Sequence, residues 1–246
     1  MPSNPVLVVR PLREEDAFLK LLDQASIPFK YIPIMTIDPV PPGSDDFARA
    51  ASSIDSLDRF DQVIFISANA AEIALPLITK RWPKLPENTE FLAVGQQTAE
   101  IFATYNYKVS YPRKQPNTEG LLQELPQLQD LTAQSVLILR GGSGRQTLGD
   151  ELTKRGAKVT YAELYQRNID AKYLLKAQDF MSMASCLVVH SGELLHAMDF
   201  PKDKRIPLVV PSDRIAQLAQ EMGYQRILVA VNALPASMYD AVLQAL

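Results

Sequence analysis

Apolar and polar positions along this chain repeat as a unit. A run of apolar, often β-branched residues stops at a small or hydroxyl-bearing residue, and apolar positions at helical spacing follow. Five segments carry the unit: VIFISANAAEI (63–73), FLAVGQQTAEI (91–101), VLILRGGSGRQTL (136–148), CLVVHSGELL (186–195) and PLVVPSDRIAQL (207–218). The first halves have the near-continuous hydrophobicity of parallel strands buried on both faces. The second halves open with Ser, Gly, Asn or Asp, residues that cap helix N-termini. A strand that feeds a helix in this way leaves backbone N–H groups at its carboxyl end, backed by the positive end of the helix dipole. Such ends bind anions. Their repetition predicts a surface suited to an extended ligand with several negative groups.

The same reading extends to the rest of the chain. A strand is expected at 5–11, then a helix with Glu14, Glu15 and Asp16 in its first turn and Phe18, Leu21, Leu22 and Ala25 on one face. A strand at 31–37 contains Pro33, which implies an edge position or an irregular start. The Pro-rich, acidic stretch 38–46 reads as a linker. Strands follow at 63–67, 91–94, 108–112, 136–140 and 158–167, with helices at 69–80 and 97–104, a short one at LLQEL (121–125), and one ending at Gly156. Beyond them come a helix near 171–183, strands at CLVVHS, PLVVPS and 226–231, a helix ending at Gly223, and a last helix from Pro235. That last helix carries Met238, Ala241, Val242 and Ala245 on one stripe. The layout of 93–109 returns at 210–227 as a weak internal repeat. Alternating strands and helices predict open parallel sheets with helices on both faces, and ligands in such folds bind outside the carboxyl ends of the strands.

Composition narrows the picture. A length of 246 residues suits two domains, and 47% apolar residues supply their cores. The net charge of −3 argues against nucleic-acid binding driven by overall charge, so any anion site must be built locally. The one cysteine, Cys186, excludes an intramolecular disulfide and lies in a strand-like run, where a buried structural thiol is expected. The first residues lack a basic segment followed by a long apolar one, and no apolar run reaches the ~18 residues that span a bilayer. A cytoplasmic monomer, with no membrane partner, is expected.

Candidate chemistry centres on the strand ends. LRGGSGR (139–145) can wrap an anion with backbone N–H groups, or can be a tight turn that needs glycine for its backbone alone. It lacks GxxxxGK[ST], and Thr147 stands where the third glycine of GxGxxG would be, so a nucleotide site is weakly indicated. Ser67, Ser191 and Ser212 each follow an apolar strand; each alone reads as a helix cap, and the set leans toward a shared ligand surface. His190 and His196 fall short of a metal site and read as structural or surface residues. Tyr161, Tyr165 and Arg167 stand at even steps on one strand and so are expected on one face, by pattern a packing face. No acid/base pair, triad or metal cluster stands out. The chain is either a binding or sensor module for an anionic small molecule, a nucleotide-dependent enzyme, or an enzyme whose chemistry is mainly positioning.

Read in order, VVRP (8–11), FISANAAE (65–72), AVGQQTAE (93–100), NTEGLL (117–122), LILRGGSGRQTL (137–148), LYQR (164–167), HSGELL (190–195) and VVPSDRIAQLA (209–219) resemble the uroporphyrinogen-III synthase family over nearly the whole chain. The resemblance implies two α/β domains, each an open parallel sheet with flanking helices. A two-strand connector would join them, with the active site in the cleft between. Residues 1–36 plus 168–246 would form a discontinuous domain and 37–167 an inserted one. It also implies a linear tetrapyrrole substrate, hydroxymethylbilane, and no cofactor. Water is lost at the hydroxymethyl carbon, the far ring attacks through its substituted carbon, and the macrocycle closes with that ring inverted. By motif position Tyr165 matches the tyrosine that assists loss of the hydroxyl. Ser67, Thr98 and Ser191 match positions of substrate or product contact, and Asn69 stands where some members carry a basic residue. Ser212 and Arg214 lie in the corresponding region of the last motif. Arg10 and the Gly142–Ser143 amides join them as carboxylate partners on physical grounds.

Overall fold

The computed structural model describes residues 4–12, 16–142, 146–199 and 204–246. Ser143, expected to contact substrate, and the rest of the glycine-rich turn through Arg145 lie outside the described residues, as do Glu14 and Glu15. Along the chain come β1 (Val6–Pro11), α1 (Ala17–Gln24), β2 (Phe29–Pro39), α2 (Asp45–Asp55), β3 (Gln62–Phe65), α3 (Ala68–Arg81), β4 (Glu90–Ala93), α4 (Gln96–Thr104) and α5 (Thr118–Glu124). They are followed by β5 (Ser135–Gly141), α6 (Thr147–Lys154), β6 (Lys158–Ile169), α7 (Ala171–Met181), β7 (Leu187–Val189), α8 (Gly192–Ala197), β8 (Leu208–Val210), α9 (Asp213–Glu221), β9 (Ile227–Val229) and α10 (Pro235–Ala245). Among the described residues, no helix is long and apolar enough to cross a membrane.

The chain forms two compact units, one of Met1–Thr36 with Asn168–Leu246 and one of Ile37–Arg167. The boundaries fall inside β2 and β6, so both links between the units are strand segments. In the first unit β2, β1, β7, β8 and β9 run parallel in that order. Val6 and Val8 of β1 are buried between Phe18 and Leu22 of α1, Val188 and Val209, and the α10 stripe of Met238, Ala241, Val242 and Ala245. Cys186 belongs to this core, and burial pushes its thiol up to about 12. Only the thiolate alkylates readily. Native protein at pH 8 is therefore expected to resist iodoacetamide and to take up one label on unfolding in urea. Rapid native labelling, read by intact mass, would contradict the buried placement.

In the second unit β4, β3, β5 and β6 run parallel in that order, with a core on each side. Phe65, Phe102, Leu137, Leu139 and the helices α2 and α3 fill one side. Ile64, Leu92, Val136, Ile138 and the Leu121–Leu131 region fill the other.

Three local expectations need correction. Residues 38–46 are not a plain linker. β2 runs to Pro39, and Ser44 then caps α2, with Asp45 and Asp46 in its first turn and Ala50 and Ile54 buried. Residues 108–112 do not form a strand. Ser110 alone bridges to β4, while the Glu124 carboxylate accepts the backbone N–H groups of Arg113, Lys114 and Gln115 and so binds the following loop to α5 instead of to a ladder. Asp16 sits before α1 as its cap and not within its first turn. Pro33 stands inside β2, where the β1–β2 register slips between Val9 and Pro11.

Candidate functional site

β5 ends at Gly141, and its pairing with β6 slips there. Arg140 faces Glu163 but Gly141 faces Tyr165, so Leu164 is an extra residue on β6. Such a bulge turns the following side chain out of the strand's alternation. Tyr161, before it, packs beside Ile138 and Leu92, whereas Tyr165, after it, packs among Phe65, Leu139 and Phe102. The two tyrosines therefore do not share a face, and counting residues along β6 misplaces them because the bulge changes the parity.

The Tyr165 ring rests on Gly141. A Cβ at position 141 would lie 2.4 Å from the ring's Cε2 and 2.6 Å from Cζ. The amide of Gly142 donates to the Tyr165 carbonyl at 2.7 Å, which holds the strand at the bulge. Seated there, Tyr165 is fully buried. Its Oη lies 3.0 Å from Ser67 Oγ, and Arg167 donates to it from Nη2 at 3.2 Å. The Arg167 guanidinium also stands 5.4 Å from the ring centroid. Spacing placed Arg167 only on a packing face with the tyrosines; the structure puts its guanidinium on the phenol oxygen.

Ser67 is the residue through which β3 becomes α3. Its extended backbone and its Oγ, which accepts the Ala70 N–H at 3.0 Å, make it the helix cap. Asn69 follows in the first turn, half-buried. Phe65 of β3 pairs with Ala93 of β4 and with Leu139 of β5, so these strands end side by side. Thr98 lies in the first turn of α4, buried, behind the Gly95 cap. Within this unit the strand ends thus gather Ser67, Asn69, Thr98, Gly142 and Tyr165 along one edge.

A charged cluster on the other side of β6 was missed in the sequence. Arg140, only 6% exposed, donates from Nη2 to Glu163 Oε1 at 2.9 Å and lies 4.1 Å from the centre of the Tyr161 ring. Burial raises the Tyr161 hydroxyl above its ordinary value, against the pull of the Arg140 cation. The lone cation closing the apolar run VLILR was the available signal, since a charge there has to be paired.

In the other unit, Arg10 is the last residue but one of β1 and donates from Nη1 to Asp16 Oδ1 at 2.7 Å. The same Asp16 oxygen caps α1 by accepting from Phe18 and Leu19, so the guanidinium is already matched by a carboxylate of its own unit. Ser191 caps α8 through the Leu194 N–H at 3.2 Å. Ser212 stands at the cap of α9 without a side-chain bond to the helix, and Arg214 is exposed in the first turn. His190 packs edge-on against Phe18, and His196 is exposed on α8, in keeping with structural and surface roles.

The profile of the family described as uroporphyrinogen-III synthase HemD matches residues 16–240. The uroporphyrinogen-III synthase of Escherichia coli (strain K12) is 33% identical over 244 residues, covering 93% of this chain and 95% of the relative. That of Salmonella typhimurium is 34% identical over 247 residues, covering 93% and 95%. Among solved structures, a mutant uroporphyrinogen III synthase from the extremely thermophilic bacterium Thermus thermophilus shares the fold with a TM-score of 0.68 at 16% identity, covering 98% of both chains. The Helicobacter pylori uroporphyrinogen-III synthetase does so at 0.61 and 16% identity, covering 98% of this chain and 99% of its own.

Proposed function

This chain belongs to the uroporphyrinogen-III synthase family, and from that premise we infer that its Tyr165 site serves the departure of water from hydroxymethylbilane. The protein is a lyase of tetrapyrrole biosynthesis that converts this linear tetrapyrrole to uroporphyrinogen III. Neither the sensor module nor the nucleotide-dependent enzyme is needed to account for it.

The observation that carries the inference is the buried phenol of Tyr165 between Ser67 and Arg167. The hydroxyl of a benzylic-type carbinol is expelled by the push of the pyrrole nitrogen, and a hydrogen-bond donor at the leaving oxygen is the assistance it needs. A phenol kept from water with a guanidinium beside it can lend that proton and have the resulting negative charge met. The remaining work is orientation. A flexible polycarboxylate must be held so that the far ring attacks through its substituted carbon, a task worth several kcal/mol of positioning. Asn69 and Thr98 in one unit, with Ser191, Ser212, Arg214 and Arg10 in the other, are the groups we assign to the carboxylates; the Gly142 amide, expected to join them, is already given to the Tyr165 carbonyl. We take the two compact units as the family's two domains, 1–36 with 168–246 and 37–167, and the protein as a cytoplasmic monomer that needs neither nucleic acid nor a cofactor.

Purified protein given freshly prepared hydroxymethylbilane is expected to yield the type III isomer, resolved from type I by chromatography after oxidation. Type I alone, formed at the spontaneous rate, would defeat the assignment.

A further inference from the structure

Hydrogen-bond accounting at Tyr165 identifies which hydroxyl faces outward. Among the described residues the phenol oxygen has two polar neighbours, Ser67 Oγ at 3.0 Å and Arg167 Nη2 at 3.2 Å. A guanidinium only donates, so Arg167 cannot receive the phenol's proton. Tyr165 is fully buried, and a donor left without an acceptor there is costly. Ser67 Oγ is the remaining acceptor. Ser67 then accepts from the Tyr165 hydroxyl and from the Ala70 N–H at once, which fills the two acceptor positions of its oxygen. Its own proton points away from both. Ser67 is half-buried, whereas Tyr165 is closed in by Gly141 beneath the ring and the core around it.

We propose that Ser67 is the residue that meets the leaving hydroxyl, with Tyr165 as the proton source behind it and Arg167 as the counter-charge. This rests on the reading that Tyr165 assists dehydration. As the carbon–oxygen bond breaks under the push of the pyrrole nitrogen, its electron pair stays on oxygen, which takes the Ser67 proton and leaves as water. Ser67 takes the Tyr165 proton in the same movement, and the phenolate is held by Arg167. Attack by the far ring's substituted carbon, which carries no hydrogen, gives a spiro intermediate; this fragments and recloses through the ring's free α-carbon, which loses one proton. That proton returns through Ser67 to Tyr165 and restores the starting state, so the net change is loss of one water.

The test is a cycle of Ser67→Ala, Ser67→Thr, Tyr165→Phe and Ser67→Ala/Tyr165→Phe, with kcat and KM for the type III product and the thermal midpoint of each. Ser67→Ala is expected to lower kcat by about 100-fold with KM little changed, the size of a lost proton donor. Ser67→Thr restores most of it, Tyr165→Phe alone costs less, and the double variant falls no lower than Ser67→Ala. Should Ser67→Ala fail to fold for want of its cap, Ser67→Asn keeps a capping oxygen without the hydroxyl and is expected to show the same loss. If Tyr165→Phe is slow but the hydroxyl-free Ser67 variants turn over normally, the proposal is wrong and the role of Tyr165 survives. Losses that multiply in the double variant also overturn it, since they mean independent roles. If Tyr165→Phe turns over normally, the reading of Tyr165 itself has failed, and the relay with it.

Discussion

Gly141→Ala is expected to cost about 100-fold in turnover, although the added methyl group itself touches no part of the reaction. The Cβ would lie 2.4 Å from Tyr165 Cε2, closer than two carbons can approach, so the ring must move by about 1 Å to restore van der Waals distance. A displacement of that size at a reacting group is enough for about 100-fold. The ring cannot move freely, because it is fully buried in the core that also holds Phe65, Leu139 and Phe102, and its hydroxyl is engaged by Ser67 and Arg167. The same crowding should lower stability by about 1–3 kcal/mol, as overpacked cores do. Gly142→Ala is the contrast. Its nearest new contact is the end of the flexible Glu163 side chain, at 3.3 Å, so the stability loss should be smaller. Steady-state kinetics and urea denaturation of both variants check this. Wild-type kcat in folded Gly141→Ala would show that the ring is not held where the contact places it.

Arg140→Met should destabilise the protein by about 2–3 kcal/mol. Breaking a buried ion pair by removing one partner costs about 3–5 kcal/mol when the other charge stays buried. Here Glu163 is one-third exposed, which moderates that cost. Part of the loss comes from the Tyr161 face, over which the cation stands at 4.1 Å. Arg140→Met/Glu163→Leu should recover most of the stability, because apolar side chains that fill the space of a buried pair are often neutral or better. Urea midpoints for the single and double variants decide the matter. A single variant within about 0.5 kcal/mol of wild type would mean that the pair is a surface-like interaction.

The first of these predictions depends on the bulge at Leu164, which the chain's pattern does not announce. Alternation along KVTYAELYQR places Tyr161 and Tyr165 together, and the structure separates them. The extra residue arises where β6 pairs with the glycine end of β5, a partner more than twenty residues upstream. The short helix α2 was different in kind. Ser44, the acids after it, and Ala50 and Ile54 at helical spacing were local signals, masked by the prolines just before them.

The sequence alone determined those features that depend on neighbours along the chain. Apolar runs became the buried strands β3, β5, β7 and β8, because only a sheet covered on both faces hides such runs from water. Ser67 and Ser191 became caps, because a cap's bond reaches just three residues ahead. Strand ends followed by helices told where helix N-termini would gather, and the ordered motifs told the family. Tertiary structure decided how these pieces meet. It paired Arg10 with Asp16 and Arg140 with Glu163, and it laid the Tyr165 ring on a glycine. It also joined Ser67 to a phenol 98 residues away. These are contacts between strands set by register and packing. One slipped residue moves a side chain to the other face of a sheet, and a single sequence has no local term that records it.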